Sequence, residues 1–151
     1  MYQEAGITGQ VSTLQYFVGM CCYASGDFED ARLFMNKALT SAMEKGEAYL
    51  KGITLIWDGR IMGQLPDNTL SKTVQRIKEG IDVLAELDTK PDFSIGHYFL
   101  GELYAQRGQE KEAATHLKTA EALFKEMGMD YWLEETGKIM ARHTIGNPKK
   151  A

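Results

Sequence analysis

Two stretches of this 151-residue chain repeat one another, and that repeat restricts the fold more than any other feature. Gly19, Gly26 and Ala31 have the same spacing as Gly101, Gly108 and Ala113: a Gly after an apolar residue, a second Gly seven later, and an Ala five beyond that. The step from Gly19 to Gly101 is about twice 40, which places a middle copy near Gly59. The step from Gly59 to Thr73 is longer by two than that from Gly101 to Ala113, and the extra pair falls in the turn at 65–68. Turns absorb insertions at small cost. Gly6, Gly46, Asp88 and Gly128 each follow an amphipathic run and keep the same period of about 40. Internal repetition at such a period is the mark of a stacked helical array.

The repeating unit reads as a helix pair. In 110–127, Ala113, Leu117, Ala120 and Phe124 recur every three or four residues, with Lys and Glu on the remaining positions. One face packs and the other is solvated. Gly19, Gly59 and Gly101 fall mid-helix, where Gly costs up to about 1 kcal/mol relative to Ala, so close approach of a partner helix is expected there. Gly26 and Gly108 turn the chain back in tight hairpins, and Pro66 and Pro91 mark other joints. A further step of about 40 from Gly101 reaches Ala141, inside a helical stretch at 130–143 that contains Tyr131, Trp132, Leu133 and Met140. The opening Tyr2-Gln3-Glu4-Ala5-Gly6-Ile7 is similar to Phe124-Lys125-Glu126-Met127-Gly128-Met129, the tail of a second helix. The expected organisation is one all-α domain. It comprises an upstream remnant at 1–10, repeats at 11–46, 47–88 and 89–128, a capping helix at 129–144 and a tail at 145–151, as in a fragment of a larger protein.

Composition narrows the chemistry. Hydrophobic residues make up 44% and charged residues 25%, the balance of a folded chain, and the net charge of −4 comes from alternating signs with no basic block. Nucleic acid is a poor partner for such a surface. No apolar run reaches the roughly 18 to 20 residues that cross a bilayer. The only cysteines, Cys21 and Cys22, are neighbours and cannot staple distant segments. A reducing, cytoplasmic setting is expected.

Catalytic and metal-binding patterns are missing. His97, His116 and His143 are widely separated and lack the i, i+4 spacing that puts two ligands on one helical face. No Lys, Arg or His adjoins Cys21-Cys22 to activate a thiol. Gly137-Lys138 is followed by Ile139 and is not a phosphate loop. The paired acids, such as Glu134-Glu135, belong on solvated helix faces. No enzyme activity, metal or cofactor is expected within this chain.

Leu100-Gly101-x-x-Tyr104, Gly108, Ala113, Leu117 and Ala120 resemble the tetratricopeptide pattern, as do Val18-Gly19, Gly26, Phe28, Ala31, Met35 and Ala38. The period of about 40 in place of 34, the absence of a Trp opening each repeat, and Thr73 and Gly80 at Ala positions are departures from it. The stretch from Gly101 through Trp132-Leu133 is also similar to the C-terminal repeats of large bacterial signalling proteins with a class III adenylate or guanylate cyclase, or a kinase-like domain, ahead of an ATPase module. The resemblance implies a right-handed superhelix of antiparallel helix pairs that binds a protein or peptide, or regulates its parent protein from within. In that fold the residues three before and one after each mid-helix Gly face the concave groove. Here they are Tyr16 and Met20, Ile56 and Arg60, Tyr98 and Glu102, with Tyr23 one turn beyond Met20. This groove lacks the Lys and Asn clamp for a terminal carboxylate, so a hydrophobic segment or helix is the expected ligand. A homo-oligomerisation module and a small-molecule-sensing helical domain are the alternatives.

Overall fold

The computed structural model describes the backbone of residues 2–143 and the side chains of 10–143. The described residues form seven α-helices and no strand: α1 (Tyr2–Ala24), α2 (Phe28–Lys45), α3 (Ala48–Met62), α4 (Leu70–Glu86), α5 (Lys90–Gln106), α6 (Glu110–Met127) and α7 (Asp130–Arg142). None is long and apolar enough to cross a membrane. The chain divides into two compact units after Leu87. In the first unit α1 pairs with α2 and α3 with α4, and α3 also packs on α2; in the second, α5 pairs with α6 and α7 lies against both.

Local signals account for the boundaries. The Asp27 carboxylate accepts from the Asp30 amide at 3.3 Å and caps α2, and the Thr69 hydroxyl accepts from the Lys72 amide at 3.2 Å and caps α4. Pro91 stands in the first turn of α5, where a missing amide proton costs nothing. Gly46 and Gly128 close α2 and α6 in the left-handed conformation, at φ 68° and 67°. Asp88 follows α4 at φ 55°, the one non-glycine with positive φ among the described residues. The expected remnant at 1–10 is not a separate element: α1 passes through Gly6 without a break. The expected tail at 145–151 lies outside the described residues.

The second helix of each pair buries the same register: Ala31, Met35, Ala38 and Ala42 on α2; Thr73, Ile77, Gly80 and Leu84 on α4; Ala113, Leu117, Ala120 and Phe124 on α6. The mid-helix glycines meet this row. A Cβ on Gly19 would stand 3.0 Å from Met35 Cε, one on Gly59 would overlap Ile77 Cγ1, and one on Gly101 would overlap Leu117 Cδ2. The tightest backbone approach is at Gly80, where a Cβ would lie 2.8 Å from the Gly52 carbonyl oxygen and 2.9 Å from the Ile56 amide nitrogen. Glycine at a position where the other two rows have Ala thus lets α4 seat directly on the backbone of α3.

Candidate functional site

Thr13, Tyr16, Phe17 and Met20 recur at three- and four-residue steps and form one face of α1. Opposite them the Gly46 turn delivers Tyr49, Leu50 and Ile53 on the first turns of α3. Together they line an open, mainly apolar groove of about 600 Å³. Its floor is Tyr16, Leu50 and Ile53, all buried. Its rim is Phe17 and Tyr49, 54% and 47% exposed, and Glu47 supplies the charge in the lining. Tyr16 and Phe17 meet edge to face at 5.4 Å, which stiffens the α1 side.

One turn further along the same two helices, Tyr23, Trp57 and Arg60 form a second cluster. The Tyr23 and Trp57 rings meet edge to face at 5.7 Å, and the Arg60 guanidinium lies over both, at 4.8 and 5.2 Å from their centroids. A cation held over two aromatic faces is a positioned charge, not a freely sweeping one. Cys22 stands beside this cluster in sequence, and its thiol is pushed up by partial desolvation and by Asp27 and Asp30, opposite to the shift that activates a nucleophile.

Of the residues expected to face a groove, Tyr16 and Met20 line this one, and Tyr23 and Arg60 come together beside it. Ile56 does not line it. It is 1% exposed because Gly80 admits its side chain into the α3–α4 interface. Tyr98 is likewise a core residue, 3% exposed, with its ring edge to face on Trp132 at 5.3 Å. Its hydroxyl donates to Glu102 Oε2, one turn on, at 3.5 Å. Thr13, Phe17, Tyr49, Leu50, Ile53 and Trp57 were missed: the positions three before and one after each Gly leave out Thr13 and Phe17, and with them Ile53 and Trp57, which stand one period on and carry the α3 face. The run Tyr49, Ile53, Trp57, Arg60, at steps of four, four and three, is the signal that could have found it.

Two further polar clusters stand apart from the groove. Asp58 on α3 is fully buried between Arg32 on α2 and Arg76 on α4, with Nε to carboxylate distances of 3.6 and 3.3 Å. Burial pushes its carboxyl above the usual range, and Arg76 and Arg32 pull it back. In the second unit, His97 and His116 meet across the α5–α6 hairpin, Nδ1 to Nδ1, at 3.1 Å, and the Tyr104 ring stacks on His116 at 5.7 Å. Burial holds His97 below the ordinary imidazole range. Among the described residues, no three His, Cys, Asp or Glu side chains are grouped to hold a metal ion. No protein-family model matches the chain, and no curated protein shows significant similarity to it.

Proposed function

We propose that this chain is a tetratricopeptide-like scaffold that holds an apolar peptide segment or helix in the groove between α1 and α3. The observation that carries the reading is the groove itself: a buried apolar floor beneath two exposed aromatic rims, Phe17 and Tyr49, with Arg60 fixed nearby. Aromatic and Met side chains bury large area at small entropic cost and are favoured interface anchors. The right-handed superhelical stacking belongs to this reading. Its support is the shared buried register of α2, α4 and α6 and the left-handed residues at 46, 88 and 128. Assembly or internal regulation of a bacterial signalling protein is the setting that the sequence resemblance favours.

The test is photo-crosslinking from a benzoylphenylalanine placed at Tyr49, challenged with a panel of amphipathic helical peptides. Crosslinks that Phe17→Asp and Met20→Lys reduce at least about tenfold are expected, the scale of losing one hot-spot contact. Crosslinking that these variants leave unchanged rejects the groove.

A second reading, self-association, has its own support. Val11, Leu14 and Val18 form an exposed apolar stripe on α1, whereas Thr54 and Asp58, one period on from Leu14 and Val18, are buried. Light scattering over a concentration series decides this reading, since a strict monomer excludes it.

A further inference from the structure

Asp58 occupies a position that is apolar in the other copies. Counted from the mid-helix glycines, its counterparts are Val18 before Gly19 and Leu100 before Gly101, and Met140 before Ala141 continues the series. A side chain of that kind would close the junction at lower cost, because desolvating a carboxylate and two guanidiniums offsets most of their attraction. The acid therefore does something that packing does not require.

What it does is orient. Both arginines meet Asp58 through Nε, which leaves their Nη donors for other acceptors. Arg32 directs one, Nη1, toward Asn68 Oδ1 at 3.5 Å, and Asn68 in turn donates through Nδ2 to the Met62 carbonyl at 3.4 Å. Each arginine side chain remains 30% exposed and lines an open polar cavity of about 450 Å³, together with Asn68, Lys72, Gln75 and Glu79. Three cations, Arg32, Lys72 and Arg76, stand against two carboxylates, Asp58 and Glu79, so one positive charge is left over. The cavity also adjoins the first turns of α4, whose amide end favours negative charge.

We propose that this cavity binds a phosphate group, either as the free ion or as a phosphate monoester of a small molecule. The chemistry is that of guanidinium forks: donors of fixed geometry, supplemented by the Lys72 ammonium and the Gln75 amide, match a tetrahedral oxyanion with several acceptor atoms. The site shares no lining residue with the apolar groove and does not depend on the function proposed above.

The experiment is calorimetric titration of the full chain at low ionic strength with inorganic phosphate, glycerol phosphate and acetate. Saturable binding of phosphate, and weaker binding of acetate, is expected. Lys72→Gln weakens it and Glu79→Gln strengthens it, each by about threefold, the worth of one partly solvated charge contact. Arg76→Lys, which keeps the charge and loses the fork, weakens it further. If Arg76→Lys fails to fold, the two surface variants decide alone. Glycerol phosphate binding at least as tightly as the free ion identifies a monoester ligand, and binding of the free ion only identifies inorganic phosphate. No saturable phosphate signal, or binding that Lys72→Gln and Glu79→Gln leave unchanged, overturns the proposal.

Discussion

Where α3 settles against α2 and α4, the closing group is Asp58 between two guanidiniums; where α7 settles against α5 and α6, it is Trp132 among rings. Trp132 meets Tyr98 at 5.3 Å, and Phe99 and Phe124 at 6.2 Å each. The aromatic junction gains from buried area and ring geometry and depends on no charge. The charged junction gains little net stability, because its attraction must first repay desolvation. Its return is direction: two long, flexible side chains are held in one arrangement. One junction serves stability and the other serves placement.

The largest effect expected of this contrast is in the second unit. Phe124→Ala removes a fully buried ring from the aromatic junction and costs about 4 kcal/mol. The chain has one tryptophan in each unit, so denaturation followed by Trp132 fluorescence in a Trp57→Phe background reads this loss alone. A cost under about 1 kcal/mol would break the comparison, since such a ring would not be holding its junction.

A smaller effect distinguishes direction from stability in the first unit. Arg76→Ala leaves a buried carboxylate with one partner and costs about 2 kcal/mol, read at Trp57 with Trp132 replaced by Phe. The combined change Asp58→Leu, Arg32→Met and Arg76→Leu recovers that loss and gains about 1 kcal/mol over the starting protein. A triple variant as unstable as Arg76→Ala would show that the charges themselves hold the junction.

The smallest effect is a divergence with pH. His97 prefers its neutral form when folded, so the unfolded chain binds protons first as pH falls. Its stabilising contribution is complete above the ordinary imidazole value of 6.5 and is lost below it. The Nδ1 to Nδ1 contact with His116 needs one nitrogen unprotonated and fails in the same direction. Asp58 works oppositely: its raised carboxyl favours the folded state most below 3.8 and progressively less as pH rises above that. Between pH 7.5 and 5, midpoints read at Trp132 should fall relative to those read at Trp57. Parallel curves would remove the electrostatic part of the contrast.

Much of this fold was legible in the residues. The turn glycines, the apolar row from Ala113 to Phe124, and the close approach at mid-helix Gly59 follow from helical spacing and steric demand: the turns have positive φ, the row is buried, and a Cβ at Gly59 would overlap Ile77. Gly6 was misread because glycine near the start of a helix has no steric consequence that distinguishes it from a C-cap. The groove was legible by halves. On the α1 side Tyr16 and Met20 follow from the positions flanking Gly19 and Phe17 does not, whereas on the α3 side Ile56, the counterpart of Tyr16, is buried against Gly80 of α4, a full helix beyond it in sequence. The Arg32–Asp58–Arg76 cluster was invisible in sequence, since its members lie on three helices and only their packing unites them.

The close approaches at Gly59, Gly80 and Gly101 have a consequence in the language of codons. Every missense change of a glycine codon adds at least one carbon, and at these three positions one carbon already collides with a neighbouring side chain or backbone atom. No missense mutation there is sterically silent, however mild its chemistry. The narrowest points of two of the hairpins are therefore sites where the gene has no neutral neighbour, and drift must pass around them through paired changes on the facing helix.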